Sequence, residues 1–573
     1  MLLRYSILAF AFLIVACVPP DEIPSILVRD TVIDLLAETT SDDPKRPKFR
    51  AAELHMNTDV PENAIAVLQG RAWRRHDTGE PSAPVRFQLM VDHELVVDEA
   101  VVVAGRGQRF LVEANVPATT RDVPVELRIV RPTDEDVVGE WQRVTLEQER
   151  SRSRLTTGQG RNLLIIVADT WRADHTSLHG YERATTPYLD RFASQALVFD
   201  RAFSTSPWTL PSTASLLTGL YPNEHGLIRA EPLPHDLDTL AEGLAGEGIS
   251  TFAISANPLV SPDRGLAQGF EHFDYLPESK ANAITDRALE RLDEHRPYRF
   301  FGYLHYLDPH GPYNAPEPYR HRFTDPAYQG RFRDPQALRP ISFARAPDFP
   351  VDDDDVHHLR AAYDGEILFW DHEFQRLVDG LRARHLLDDT VIIITSDHGE
   401  EFAEHGLFKH GHHLYDESVH VPLLIHAPGR VDPGRVAHQV ENRRVFHAAH
   451  QLMGTGLSPP APDDLLLTEQ PFPVLLHTDN QPGLGEDRVP EVAAIRDSTH
   501  KLIWWLDTER IELYDLATDP GETQNVIDDE AHIASAYRLA IETWLRDDER
   551  GPETETPLDD ELVERLRALG YIQ

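Results

Sequence analysis

Residues 162–226 read NLLIIVADTWRADHTSLHGYERATTPYLDRFASQALVFDRAFSTSPWTLPSTASLLTGLYPNEHG. The opening run, Leu163 to Ala168, is wholly apolar and stops on an acid, Asp169. An uncharged run rich in Ile and Val suits a strand covered on both faces. In open α/β sheets, reactive groups collect just past the carboxyl ends of such strands. Further along comes Trp208-Thr209-Leu210-Pro211-Ser212, followed by the apolar run of a helix. Pro is tolerated near a helix start, and a Thr there lies where backbone N–H groups point outward. An acid on a strand tip and a hydroxyl at a helix mouth can share one cation.

Around these residues stand TTPYLDRFASQALVFDRAF (185–203), PSTASLLTGLYPNEHG (211–226), ITSDHGEEFAEHG (394–406) and LYDLATDPGETQN (513–525). Together with Asp169 they resemble the sulfatase branch of the alkaline phosphatase superfamily. The likeness runs from Arg161 to Asn525, so it is more specific than a lone short motif. It implies an α/β sandwich around a mainly parallel sheet, with a metal-assisted ester-cleaving site.

The chain has 573 residues, which predicts two or three domains. Its 55 Lys plus Arg face 95 Asp plus Glu, a formal charge of −40. Such a balance repels polyphosphate backbones, so no nucleic acid partner is expected. Small anionic or glycan and lipid esters remain open as substrates, because a bound metal overrules the global field locally. The first residues, MLLRYSILAFAFLIVAC, carry an Arg and then an apolar run too short to span a bilayer. That run reads as a signal peptide. Its ending resembles a bacterial lipoprotein signal, which implies lipidation of Cys17 and a lipid-anchored, extracytoplasmic place in the bacterial envelope. Cys17 is the chain's only cysteine, so no disulfide framework is expected.

Residues 18–48, with a mostly apolar patch at Ile26–Leu36, read as a tether that feeds into a first strand. From 49 to 150, VRFQLMVDHELVVDEAVVV and VPVELRIVRP alternate apolar and polar residues, the pattern of half-buried antiparallel strands. A small all-β sandwich is the expected closure, as a spacer or packing module. Strand and helix patterns alternate from 161 to 456, which predicts an α/β catalytic domain with a parallel sheet. Among them are a helix over Thr186–Gln195, a long amphipathic helix over Asp354–Leu387 and a buried strand over Val391–Thr395. Pro-rich residues 312–350 read as a long surface excursion. A smaller α+β part is expected over 457–530 and a helical tail over 531–573, its last helix in LDDELVERLRALGYIQ.

The apolar strand at 391–395 is followed by Asp397 and His398. Asp169, Thr209, Asp397 and His398 match the family's metal-binding positions. The imidazole suits zinc or manganese better than calcium, which prefers an all-oxygen shell. Sulfatases present a second acid after the first; here that position is Thr170, which weakens a calcium site further. The sulfatase nucleophile motif is Cys or Ser, any residue, Pro, any residue, Arg, with the first residue oxidised to formylglycine. Here it reads Thr209-Leu210-Pro211-Ser212-Thr213. A Thr cannot give that aldehyde, and a Thr sulfate ester has no carbonyl collapse by which to expel sulfate. A Thr phosphate ester can be opened by in-line attack on phosphorus. Metal coordination is one route to activating the hydroxyl. The bland role for Thr209 is a helix N-cap, worth about 1 kcal/mol.

By the same resemblance His310 faces the transferred group, with His412 opposite it in place of the family's Lys, and either imidazole can donate a proton. His305, Asp308 and Asn257 are assigned to substrate; Asn257 stands where the family has the His of a Lys-any-His pair. A site with fewer fixed cations fits a singly charged diester better than a dianionic monoester. Asp308, His310 and His412 are candidates for a second metal. His175, His179, His225, His405 and His426 read as structural or surface residues, and LYDLATDPGETQN as architecture. The leading expectation is a metal-dependent phosphoester hydrolase or transferase acting through Thr209. The alternatives are a sulfatase without formylglycine and an inactive module that binds anionic glycans.

Overall fold

The computed structural model describes residues 27–34, 53–58, 64–74, 85–101, 107–116, 123–130, 137–151, 161–227, 232–234, 237–341, 351–455, 474–478 and 491–546. Cys17, its leader and the helix expected within 558–573 lie outside them. The chain divides into two compact units, Met1–Arg154 and Leu155–Gln573. Among the described residues, no helix is long and apolar enough to cross a membrane.

Among the described residues the first unit holds eight strands: β1 (Leu27–Asp34), β2 (Glu53–Thr58), β3 (Ala64–Arg74), β4 (Val85–Val91), β5 (Glu94–Val101), β6 (Gly107–Asn115), β7 (Val123–Val130) and β8 (Val137–Ser151). They form two four-stranded antiparallel sheets, ordered β1-β8-β3-β6 and β2-β7-β4-β5. In β4, Val85, Phe87, Leu89 and Val91 are buried while Arg86 points outward, the period-two pattern read from the sequence. The stretch expected to be a tether contributes β1, because its backbone completes the edge of the sheet beside β8.

The second unit contains β9 (Asn162–Ala168), α1 (Pro187–Phe192), β10 (Leu197–Phe203), α2 (Thr209–Thr218), α3 (Pro222–His225), α4 (Leu240–Gly246), β11 (Ser250–Ser255), β12 (His272–Tyr275), α5 (Ala281–His295), β13 (Phe300–Tyr306), α6 (Asp353–Ala383), β14 (Thr390–Thr395), β15 (Glu401–Phe402), β16 (Phe408–Lys409), α7 (Asp416–Val419), β17 (His420–His426), β18 (Gly434–Glu441) and α8 (Val445–Met453). Eight of the strands make one sheet, ordered β12-β11-β13-β9-β14-β17-β10-β18. Its neighbours pair in parallel except at β17, which runs against both β14 and β10. Every residue of β9, β11, β13 and β14 is buried. Helices cover the strands, so an uncharged run such as LLIIVA is stable only here. This is the mainly parallel α/β sandwich that the resemblance implies.

The long helix α6 carries buried acids that tie down the loop after β9. Asp352 caps its start by accepting from Asp355 N at 2.8 Å. Asp364 accepts from Tyr181 Oη at 2.9 Å and Arg183 at 2.7 Å, and stands 2.7 Å from His175 Nδ1. Asp371 accepts from the backbone N–H groups of Tyr188 and Leu189, both at 2.8 Å, at the N-terminus of α1.

The last strands, β19 (Val474–Thr478), β20 (Val492–Arg496), β21 (His500–Trp505) and β22 (Arg510–Asp515), form an antiparallel sheet in that order. One face packs on Phe203, Leu414, Tyr415 and Val419 of the main sheet region. The other face is covered by α9 (Ala531–Arg546), through Ala534 and Ile541. The first part of the expected tail therefore belongs to this layer, because its apolar stripe has a sheet to cover.

Gly302 in β13 tests how tightly the sheet and its cover are packed. A Cβ there would lie 2.5 Å from Phe252 Cζ and 2.6 Å from Leu164 Cδ2. Gly302→Ala is expected to destabilise the second unit by about 1–3 kcal/mol through overpacking. A lowered urea midpoint would report it; an unchanged midpoint would show that the two side chains move aside freely.

Candidate active site and metal centre

The parallel topology brings the carboxyl ends of β9, β11, β13 and β14 to one edge. Asp169 follows β9, Asn257 follows β11, His305 lies in the last turn of β13, and Asp397 and His398 follow β14. Thr209 opens α2, whose N-cap is Trp208. The Thr209 side chain therefore does not cap the helix. Its Oγ1 lies 3.2 Å from His398 Nε2 and 3.4 Å from Asn257 Nδ2. All six side chains are buried.

The hydrogen bonds fix how these groups face. Asn257 Oδ1 accepts from Leu259 N at 2.7 Å, so Nδ2 faces the site and donates to Asp169. His398 Nδ1 donates to Gly399 O at 2.9 Å, which leaves the lone pair on Nε2, toward Thr209. Asp397 Oδ1 accepts from Thr170 N at 3.2 Å and His398 N at 2.9 Å. To make that bond Thr170 adopts φ 61, a costly conformation for a β-branched residue. Tyr363 Oη anchors it by donating to Thr170 O at 2.7 Å. Gly399 is required by a close approach, since a Cβ there would lie 2.0 Å from Glu417 O.

Two buried oxygens, Asp169 Oδ1 and Asp397 Oδ2, make no hydrogen bond. His398 Nε2 stands 3.7 Å from the first and 3.5 Å from the second. His305 Nε2 stands 3.2 Å from Asp169 Oδ2 and 3.8 Å from Asp397 Oδ2. Asp169, His305 and Asp397 each place a ligand atom within 4.8 Å of the others. No Lys or Arg pairs with either carboxylate among the described residues. Burial and the charge on Asp397 push the Asp169 carboxyl well above its usual range. Burial holds the His305 imidazole down, to about 4, so the ring is neutral. Two acids and two imidazoles around unsatisfied oxygens fit a divalent cation, and the nitrogen donors suit zinc or manganese. The sequence reading assigned His305 to substrate; its ring instead reaches both acids. Tyr303 Oη stands 3.0 Å from His305 Nδ1 and, as donor or acceptor, can fix either tautomer.

The candidate second-metal group, Asp308, His310 and His412, does not assemble among the described residues. Lys280 Nζ lies 3.1 Å from Asp308 Oδ1 and 3.0 Å from Glu366 Oε1, so an ammonium already holds Asp308. Burial pushes the Glu366 carboxyl up to about 8 despite Lys280. His310 Nδ1 donates to Gly311 O at 2.6 Å, and its ring lies 5.0 Å from that of His410. His412 is buried and close enough to His410 to affect its charge.

The reading from sequence missed the layer that backs this site. The His410 ring sits 4.4 Å from that of His398, and its Nδ1 is 2.9 Å from Glu400 Oε1. Tyr313 Oη donates to Glu400 Oε2 at 3.0 Å. Lys409 is buried beside them at φ 69, and its charge helps to hold His310 and His410 neutral. KHGHH offers three imidazoles, and only the turn at Lys409 selects which one stacks on His398. Farther out, His405 lies 2.5 Å from Glu417 Oε1 and donates to Glu522 O at 3.1 Å. Glu522 accepts from Asp416 N at 2.7 Å and pairs with Lys501 at 2.8 Å. LYDLATDPGETQN thus braces the segment that carries Glu400 and His410.

The sulfatase family profile matches residues 161–455, just over half of the chain. The chain belongs to the sulfatase family. An uncharacterized sulfatase of Escherichia coli K12, YidJ, is 25% identical over 421 residues, 64% of this chain and 83% of that protein. The multifunctional alkaline phosphatase superfamily protein PehA of Trinickia caryophylli is 28% identical over 366 residues, covering 49% and 70%. The fold is that of the phosphonate monoester hydrolase of Agrobacterium radiobacter, with TM-score 0.55 and 23% identity over 69% of this chain and 100% of that one. As a sulfatase-family protein the chain is an ester hydrolase.

Two measurements check this geometry. Zn²⁺ or Mn²⁺ at a hundredfold excess over its Kd should raise stability by about 2.7 kcal/mol in chelator-stripped protein. Asp397→Asn should reduce the shift, read by thermal unfolding; an equal shift in that variant would place the ion elsewhere. The second concerns His405. Burial lowers its pKa, but the bond to Glu417, the Glu417 charge and the Glu522 contacts together outweigh this and raise it to about 9. Its folded value lies above its unfolded one, so its stabilisation is complete below pH 6.5 and is lost as pH rises through 9. Thermal midpoints of His405→Gln should fall less between pH 6.5 and 9 than those of the parent.

Proposed function

We propose that this protein cleaves or transfers a phosphoester, of diester or phosphonate-like type, with Thr209 as nucleophile. The observation that carries the reading is Thr209 Oγ1 itself. It is buried, not used as a helix cap, and set 3.2 Å from the His398 lone pair beside two uncompensated carboxylates. Asp169, Asp397, His398 and His305 would hold a divalent ion of zinc or manganese type. When bound, that ion supplies positive charge that lowers the proton affinity of a nearby hydroxyl and stabilises developing anionic charge.

The chain's own groups divide the remaining work. Asn257 Nδ2 donates to Asp169 and approaches Thr209 Oγ1 at 3.4 Å, which holds the nucleophile and offers a donor toward a nonbridging oxygen. Thr209 Oγ1 gives its proton to solvent and forms a bond to phosphorus while the bond to the leaving oxygen breaks. That oxygen takes its proton from water, beside the His310 and His410 rings, which lie together on the Glu400 side. Water or a second alcohol then opens the phosphothreonine by attack on phosphorus.

Charge favours a monoanionic substrate. Asp169, Asp397 and Glu400 contribute negative charge, while Lys409 and a divalent ion contribute positive charge, so the fixed charges nearly cancel. A dianionic monoester would find no surplus cation. Phosphorus is preferred to sulfur because Thr209 cannot form the aldehyde by which a sulfate ester collapses. A sulfatase without formylglycine and a non-hydrolysing glycan binder are the competing readings, and one experiment separates them.

Turnover of a bis-aryl phosphate, an aryl phosphate and an aryl sulfate should rank in that order. Thr209→Ala should lower kcat on the diester by about 10³-fold or more, as loss of a nucleophile does. Preferred turnover of the sulfate would establish the sulfatase reading. Metal binding with no turnover of any of the three would establish the binding module.

A further inference from the structure

The opposite, amino-terminal edge of the main sheet carries a second group of ligand-type side chains. His272 opens β12, Glu294 and His295 close α5, and each places a ligand atom within 4.8 Å of the other two. The two imidazole rings meet edge to face, with centroids 5.3 Å apart.

The bonds around His295 fix its tautomer. Ser250 Oγ donates to Glu271 Oε2 at 2.9 Å and lies 2.8 Å from His295 Nδ1. A serine hydroxyl has one proton. With that proton on Glu271, the Ser250 oxygen accepts from His295 Nδ1–H, so the lone pair of the ring stands on Nε2. Carboxylates that orient an imidazole in this way, directly or through one more group, accompany metal-ligating histidines. The neutral ring is the form that binds metal.

The surroundings tolerate a cation. Arg291 holds Asp274 with two bonds, of 2.6 and 2.9 Å, and Glu294 with one of 2.5 Å. If Glu294, half exposed, turns to an ion, Arg291 keeps its paired contact with Asp274. The group also lies at the C-terminal end of α5, where the helix macrodipole favours positive charge.

We propose that His272, Glu294 and His295 form a second divalent-cation site, of zinc type and structural in role, separate from the site around Asp169. Two imidazoles and one carboxylate are a recurrent zinc donor set, with water completing the shell. The ion would tie the edge strand β12, which pairs only with β11, to the end of α5.

The test uses the full chain, stripped of metal and dialysed against Zn²⁺ alone. His272→Ala and Glu294→Gln each change a ligand remote from Thr209 and should leave ester hydrolysis unchanged. The parent should bind one more equivalent of Zn²⁺ than either variant. Asp397→Asn should lose a different equivalent, so the two sites fail separately. Titration with Co²⁺ should give a visible absorption component that His272→Ala lacks and Asp397→Asn keeps. Equal stoichiometry and affinity, within about twofold, in the parent and both ligand variants would overturn the assignment.

Discussion

Two carboxylates share one dry enclosure, and that repulsion organises the second unit. Asp169 and Asp397 end neighbouring strand positions on either side of the β9/β14 pair, and both are fully buried. An amide, two imidazoles and backbone N–H groups surround them, with no Lys or Arg. Uncompensated buried charge of this kind is costly. The fold tolerates it because the ends of a buried parallel sheet are fixed by the strands themselves. Thr170, held at positive φ between Asp397 and Tyr363, shows how far the backbone is bent to complete the arrangement.

The remaining architecture maintains that enclosure. The acids of α6 hold the loop after β9, while Lys280, Asp308 and Glu366 fasten the segment after β13. Arg172 donates to Glu400 O at 2.8 Å, linking the loop after β9 to the segment after β14. Among the described residues, these buried charges outside the Asp169–Asp397 group are paired, and their role is to hold loops. The site proper is where compensation is missing.

Much of this was legible in the sequence because strands that must be buried cannot hide their composition. LLIIVA, the Ile-rich run before Asp397 and the Thr209 loop placed the site at strand ends, and alternation in β4 marked the first unit. Other parts depend on distances between remote segments. His305 lies within a strand, so its sequence neighbours gave no sign that its ring reaches Asp169 and Asp397. Asp308 read as a substrate or second-metal residue, but Lys280, at the cap of α5, pairs with it. His410 and His412 differ by two positions, and the choice between them rests on the backbone turn at Lys409. The pairing of β1 with β8 spans more than a hundred residues, beyond the range of local pattern.

Glu522 has a consequence for where the second unit can end. Its carboxylate meets Asp416 N and Lys501, while the same sheet covers Phe203, Leu414, Tyr415 and Val419. The region matched by the family profile stops before any of those strands begin. A chain trimmed to the matched region would leave four apolar side chains facing water and deprive Asp416 of its ammonium partner. The minimal autonomous hydrolase is therefore larger than the shared family core, and grafting or dissecting this enzyme requires the terminal sheet to travel with it.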